Sequence, residues 1–299
     1  MTILRFDDEA CLEVAAAGGK GASLARMASL GLPVPSGFVV AAEALEGTLG
    51  ERRDDLLAAL EEKQNGQAQS IVAGVEIGDD LREAVAAALG EIGDDASVAV
   101  RSSACAEDSQ EASFAGQQET YLHVRGAGEV IDRVRDCWAS FFSERALFYR
   151  REKGSLDDLG MAVVVQRMVD ADVAGVLFTC DPVQRRKDRM VVESVFGLGE
   201  ACVSGEVTPD HFTLARDGTL KKQRLSVQPL RLEGGPDGGT VERELDPDEG
   251  AAASLGEEQL RALARMGDDL EGRLGGPQDI EWAFEDGELY VLQARPVTA

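Results

Sequence analysis

The sequence predicts an α+β protein of two lobes, and three observations carry that reading. Helical periodicities dominate the first half of its 299 residues, and short apolar runs dominate the second. The pattern changes after Gly160, which sets the lobes at 1–160 and 161–299. The chain then closes on two alternating runs, 278–284 and 288–296, around Asp286-Gly287, a strong hairpin signal. With 44% hydrophobic residues, this length can bury one large core or two modest ones.

The elements follow in order. Gly18-Gly19-Lys20-Gly21 precedes an expected helix over 22–30, stopped by Gly31 and Pro33. Residues 34–40 read as a turn into a short strand. Ala, Leu and Glu predict helices within 42–63 and 79–90, with a polar break at 64–70. Residues 98–103 form a short apolar strand ending in a polar turn, and 104–120 a loop rich in Gly, Ser, Gln and Glu. A loop that long in a compact domain indicates function or disorder. Residues 129–153 read as one amphipathic helix, with Val130, Val134, Trp138, Phe141, Phe142 and Phe148 at helical spacing. Strands are expected over 161–169, 175–179 and 190–195, then a glycine-rich turn at 197–200. A hairpin over 211–227 turns at Asp217-Gly218; a Gly/Pro loop at 233–240 and a helix over 255–274 precede the closing hairpin. No internal repeat is evident.

Charge and cysteines narrow the function classes. Acidic residues number 55 against 30 basic, a formal net charge of −25. That argues against nucleic acid or an anionic membrane as the main partner. Any phosphate site must therefore gather its few Lys and Arg locally. The N-terminus has no apolar signal-peptide core, and no apolar run approaches transmembrane length. The five cysteines are widely spread without Cys-x-x-Cys, which suits a reducing cytosol and argues against zinc. A cytoplasmic protein is expected.

The closing hairpin carries the most chemistry. Asp279, Glu281, Gln293 and Arg295 interrupt strands whose other positions, Ile280, Trp282, Phe284, Tyr290 and Leu292, suit a core. Carboxylate, carboxamide and guanidinium on one hairpin form a ligand set for a hard cation and the phosphates it bridges. A two-residue turn pairs Gln293 with Ile280, on the face opposite Glu281. A three-residue turn sets Val291 opposite Glu281 and Gln293 opposite Asp279, and brings Glu281, Gln293 and Arg295 to one face. A site therefore requires that turn, or a bulge with the same effect. The competing reading is an edge hairpin with one solvated polar face.

Four other segments each allow two readings. Gly18-Gly19-Lys20-Gly21-Ala22-Ser23 before a helix is either a phosphate cradle or a plain turn. It is not a Walker A loop, because Ala15 and Gly21 stand where that loop needs Gly and Ser/Thr. Arg101, ahead of Ser102-Ser103, either pairs with a buried carboxylate or reaches a ligand anion. Gly116-Gln117-Gln118-Glu119-Thr120 either covers a triphosphate or is an exposed polar loop. Gln166-Arg167-Met168-Val169 either offers a strand-end donor and acceptor to adenine or simply ends a strand.

In this order, the segments resemble the N-terminal nucleotide-binding domain shared by phosphoenolpyruvate synthase, pyruvate phosphate dikinase and rifampicin phosphotransferase. The matching text is Gly18-Gly19-Lys20-Gly21-Ala22-Ser23-Leu24, Val34-Pro35-Ser36-Gly37-Phe38, Val100-Arg101-Ser102-Ser103-Ala104, Ser113-Phe114-Ala115-Gly116-Gln117 and Val165-Gln166-Arg167-Met168-Val169. It continues through Ala174-Gly175-Val176-Leu177-Phe178-Thr179 and Gly197-Leu198-Gly199-Glu200 to Asp279-Ile280-Glu281-Trp282 and Leu292-Gln293-Ala294-Arg295-Pro296. The resemblance implies an ATP-grasp fold with ATP held between two lobes. It assigns Lys20 and Arg101 to the phosphates, with Gly116, Gln117 and Thr120 covering them. Gln166, Met168 and Val169 would hold adenine. Glu281 and Gln293 would bind Mg²⁺, supported by Asp279, with Arg295 on the γ-phosphate. Lys20, Arg101 and Arg295 are the residues it implies for catalysis.

Full-length members of that family continue into a swivelling domain with a phosphoryl-accepting histidine, and then a domain for the final acceptor. Of the two histidines here, neither His123 nor His211 sits in the carrier motif. The resemblance thus implies a stand-alone ATP-using subunit that phosphorylates a histidine on a separate partner protein, with a small molecule as final acceptor. A direct small-molecule kinase and a non-catalytic nucleotide-binding module are the alternatives. The start at Met1 and the end at Ala299 fit either a short gene or a tidy truncation.

Overall fold

The computed structural model describes residues 2–93, 95–104, 119–153, 159–184 and 186–297. The chain divides into two compact units, Met1–Gly31 with Ser36–Met168, and Leu32–Pro35 with Val169–Ala299.

The first unit holds a five-stranded sheet in the order β1-β2-β5-β3-β4, antiparallel throughout. Its strands are β1 (Ile3–Arg5), β2 (Gly37–Val40), β3 (Ser97–Ala104), β4 (Thr120–Arg125) and β5 (Met161–Arg167). β5 hydrogen-bonds between β2 and β3. This moves the divide expected near residue 160 to Met168. One face of the sheet sends Phe38, Val40, Val98, Val100, Val163 and Val165 into the main core. Helices α2 (Glu43–Leu49), α3 (Arg52–Glu61), α4 (Asn65–Ala73), α5 (Asp79–Ile92) and α6 (Gly126–Ser140) supply most of the rest of that core. The opposite face packs against α1 (Val14–Ser29).

Two helical expectations need correction. The polar break at 64–70 is α4, because Ala68, Ile71 and Val72 give a buried i, i+3, i+4 stripe. The single helix expected over 129–153 is α6 followed by α7 (Glu144–Lys153). The Ser143 hydroxyl accepts from the Ala146 amide at 3.4 Å and opens the second helix. The break leaves Phe142 fully buried but turns Phe148 outward, 66% exposed. Arg150, itself buried, stacks its guanidinium 3.9 Å from the Phe141 ring centre.

The second unit holds a six-stranded antiparallel sheet in the order β13-β12-β6-β7-β8-β9. The strands are β6 (Val173–Phe178), β7 (Arg189–Phe196), β8 (Asp210–Ala215), β9 (Leu220–Arg224), β12 (Gln278–Glu285) and β13 (Glu288–Pro296). Short helices α8 (Glu200–Ser204) and α9 (Pro247–Gly250) lie in the connections. Helix α10 (Glu257–Leu274) buries Leu260, Leu263, Ala264 and Leu270 and packs on β6 and β12. A Cβ on its Gly267 would lie 2.8 Å from the Leu177 side chain, so the helix sits close against that face. The loop expected at 233–240 is mostly the turn of a ribbon, β10 (Leu230–Gly234) with β11 (Thr240–Glu244). Every β11 residue is exposed, so no apolar alternation marks it. Residues 32–35 belong here because the Val291 amide of edge strand β13 donates to the Pro33 carbonyl at 2.9 Å. Among the described residues, no helix is long and apolar enough to cross a membrane.

Candidate functional site

In the first unit, the site is built where α1 meets the end of β3. Gly18 adopts φ 69° and interrupts the helical run Val14–Ser29. A Cβ there would lie 2.1 Å from the Ser103 carbonyl oxygen, so the position needs glycine for both its backbone and its space. The helix resumes through Gly19-Lys20-Gly21 and turns Lys20 back on β3. Lys20 Nζ donates to the Ser102 carbonyl at 2.9 Å. Ser103 Oγ donates to the Ala17 carbonyl at 2.9 Å and accepts from the Gly21 amide at 3.1 Å. The glycines are therefore part of the helix, with Gly21 N already engaged, and not an open cradle of amides. Lys20 itself is buried.

Strand pairing collects the other first-unit groups. Directly opposed residues of an antiparallel pair share a face. Arg101 lies opposite Thr120 on β4, and Gln166 on β5 lies opposite Ala99. Arg101, Thr120 and Gln166 thus share the face that α1 covers, the same face that receives Lys20. Gly116 and Gln117 lie outside the described residues. Met168 differs from expectation: its amide donates to the Ser97 carbonyl at 2.8 Å, and its carbonyl accepts from Arg167 Nη1 at 3.1 Å. It retains a second carbonyl lone pair and its apolar side chain for a ligand. Met168 ends the first unit, and Val169, buried, continues the second.

The second-unit site is the closing hairpin. The turn has two residues, Asp286 and Gly287, with φ 51° and 81°, as a type I′ turn requires. The three-residue loop does not form; a bulge takes its place. Trp282 pairs with Val291 and Glu281 with Gln293, leaving Leu292 as the extra residue. Asp279 then pairs with Arg295. All four polar residues stand on one face, while Ile280 and Trp282 stand on the face shared with Leu177 and α10. Trp282 and Phe284 meet edge-on at 5.6 Å, fixing the apolar side of the strand.

Arg295 Nε donates to Asp279 Oδ2 at 2.8 Å. Burial pushes the Asp279 carboxyl up, against the pull of Arg295, and the neighbouring Glu281 adds to the rise. Glu281 and Gln293, directly opposed, offer oxygen donors only. Cβ atoms of such pairs lie roughly 4.5–5.5 Å apart, close enough for both side chains to reach one hard cation. The residues present therefore fit Mg²⁺.

Two groups on this face escape a motif reading. Glu193 of β7 and His211 of β8 are directly opposed and fall in the same cross-strand row as Glu281, through Val176 of β6. Their signal in the sequence is slight: one carboxylate inside the apolar run Met190-Val191-Val192-Glu193-Ser194-Val195.

Comparison with known proteins is specific. Residues 14–299 match the family described as pyruvate phosphate dikinase, AMP/ATP-binding domain. The chain is 41% identical to a probable phosphoenolpyruvate synthase of Methanothermobacter thermautotrophicus, over 96% of this chain and 44% of that protein. It is 36% identical to a rifampicin phosphotransferase of Bacillus cereus, over 99% of this chain and 36% of that protein. It thus spans less than half the length of these relatives. A solved D-alanyl-alanine synthetase A from Vibrio cholerae covers 94% of this chain and 58% of its own at 10% identity. Its TM-score of 0.36 carries no argument about the fold. The chain belongs to the pyruvate phosphate dikinase AMP/ATP-binding domain family, the nucleotide-binding segment that it has in common with phosphoenolpyruvate synthases and rifampicin phosphotransferases.

Proposed function

We propose that this chain is an ATP-grasp phosphotransferase domain that uses Mg-ATP. In this reading it passes a phosphoryl group to a histidine on a separate partner protein in the cytoplasm. The observation that carries the reading is the bulged hairpin, which opposes Glu281 to Gln293 and Asp279 to Arg295 on one face. The two relatives above are named for different reactions yet share this segment, which supports a role common to both, the use of ATP. A small-molecule acceptor would then be served by the partner.

The chain's own residues do the positioning. Lys20 and Arg101 supply two positive charges to the phosphates, and Thr120 adds a hydroxyl donor. Arg295, aimed by Asp279, offers a planar fork for the terminal phosphate. Glu281 and Gln293 would hold Mg²⁺, which when bound would supply charge neutralisation to the phosphates. Phosphoryl transfer asks little covalent help of a protein, so preorganised charge is the main contribution. Gln166 and the backbone at Val169 would hold adenine.

The test is nucleotide turnover by the purified chain with Mg-ATP, resolving AMP, ADP, pyrophosphate and phosphate. The expected result is Mg²⁺-dependent ATP binding, with turnover only when a histidine-bearing acceptor protein is supplied. Lys20→Ala and Glu281→Ala are each expected to lower that turnover by about 10² or more. Transfer to a small molecule without any histidine protein would overturn the partner reading. ATP binding unchanged in both variants would overturn the site.

A further inference from the structure

We infer that Glu285 and Asp172 are positioning residues that set base selectivity: they pin the connecting segment 169–172 to the hairpin that carries Glu281 and Gln293. The inference rests on the proposal that the backbone at Val169 holds adenine. The segment and the hairpin both lie in the second unit.

Residues 169–172 belong to no helix or strand. Val169 and Ala171 are buried, while Asp170 and Asp172 are exposed. Two side chains tie this irregular backbone to the end of the hairpin. The Asp170 amide donates to Glu285 Oε1 at 2.7 Å. The Asp286 amide, outside the β12–β13 ladder, donates to Asp172 Oδ2 at 2.9 Å. The backbone of Asp172 is held as well: its amide donates to the Phe284 carbonyl at 2.8 Å, and its carbonyl accepts from the Gly197 amide at 2.9 Å.

The two carboxylate bonds are exposed, so water could satisfy either amide at little cost. They do not rescue a buried group. What a charge-assisted bond adds here is order, one position for a backbone that no ladder fixes. Glu285 stands on the same strand and the same face as Glu281, four residues further along. At ~3.4 Å per residue, β12 sets the two about 13–14 Å apart. One strand thus carries a metal-ligand candidate and the pin on the connecting segment.

A fixed backbone is what base selection needs. Adenine presents an acceptor, N1, beside a donor, its amino group. A backbone amide and carbonyl match that pair only when held in place. Hypoxanthine reverses the pattern, with N1–H donating and O6 accepting, so each backbone group would face its like. A loosened segment gives up the match to adenine and the mismatch to hypoxanthine together.

The experiment is calorimetric titration of the whole chain with Mg-ATP and with Mg-ITP, beside a thermal melt. Wild type should prefer ATP by about tenfold or more, the cost of leaving bonding groups unmatched. Glu285→Ala and Asp172→Ala should each bring the ratio to within about threefold, mainly by weakening ATP, with ITP affinity within about twofold of wild type. Glu285→Gln keeps an acceptor oxygen for the Asp170 amide and should restore most of the preference. An unchanged ratio in both alanine variants, or no preference in wild type, would overturn the assignment. So would an equal loss of both nucleotides in the alanine variants, which would give the two side chains a purely structural part. Failure of wild type to bind either nucleotide would instead sink the ATP reading beneath it. Equal binding of the two nucleotides by wild type, lost in Glu281→Ala, would leave that reading standing and remove only this one.

Discussion

The two units place their charged groups by different physical means. In the first, Lys20 is aimed by a helix pinned to a strand end, through Gly18, Ser102 and Ser103. In the second, Glu281, Gln293, Asp279 and Arg295 are aimed by ladder register alone. The first device depends on one backbone conformation and three hydrogen bonds. The second depends on counting residues along a strand. A local anchor tolerates changes elsewhere in the chain but not at its own glycine. A register tolerates many side chains but no change in count.

The largest effect should come from changing that count. An alanine inserted between Leu292 and Gln293 would take the place opposite Glu281 and send Gln293 and Arg295 to the apolar face. Mg²⁺-dependent ATP turnover should then fall by about 10² or more, measured beside a thermal melt that reports folding. Deleting Leu292 makes the complementary test. It removes the bulge yet leaves Gln293 next after Val291, still opposite Glu281, so turnover should survive within about tenfold of wild type if the hydrogen-bonded pairing re-forms. Loss of turnover in the deletion with a normal melt would show that the bulge matters beyond register.

The anchor of the first unit should break at Gly18. Gly18→Ala places a Cβ where the Ser103 carbonyl stands and forces alanine into φ 69°. Destabilisation of about 2–4 kcal/mol in urea unfolding is expected, from strain together with the displaced backbone. Ser103→Ala should cost less, about 1–2 kcal/mol, because it leaves the Ala17 carbonyl and the Gly21 amide without the hydroxyl they share. ATP affinity should fall in both variants while Mg²⁺ dependence stays intact. If Mg²⁺ dependence fell with them, the two devices would not be separable.

The same contrast explains what the sequence made legible. Local signals were readable: Asp286-Gly287 as a turn, apolar alternation in β12 and β13, and helical stripes in α6 and α10. The need for Glu281 and Gln293 to share a face could be stated, but a bulge at Leu292 leaves no mark in residue type, because Leu292 reads as an ordinary strand position. β5 illustrates another limit. Met161–Arg167 reads equally well as the first strand of the second lobe, and only its long-range pairing with β2 and β3 assigns it to the first. α4 was hidden because Asn65, Gly66 and Gln67 are poor helix formers or polar, and packing of Ala68, Ile71 and Val72 overrides them. Glu193 and His211 lie 18 positions apart, and nothing local announces that β7 and β8 set them face to face.

The smallest expected effect sharpens the comparison most finely, because it asks what register does for a single charge. Asp279 and Arg295 meet only because the bulge opposes them. Burial already raises the Asp279 carboxyl, and Arg295 opposes that rise. A carboxyl whose folded pKa lies above its unfolded one binds more protons in the folded state, so stability falls as pH climbs through the window above the ordinary aspartate value near 4. Arg295→Ala removes the compensating charge and pushes the carboxyl further up. The loss of stability in that variant should therefore be slight near pH 4 and grow toward pH 7. Because Arg295 is 47% exposed, solvent screening limits the neutral-pH loss to about 1 kcal/mol. Asp279→Asn in the Arg295→Ala background should remove this part of the pH dependence, since no carboxylate then remains at that position to ionise. Urea unfolding at pH 4 and pH 7 decides it: a loss in Arg295→Ala that is equal at both pH values would mean that the pair is held by packing of the arginine stem and not by its charge.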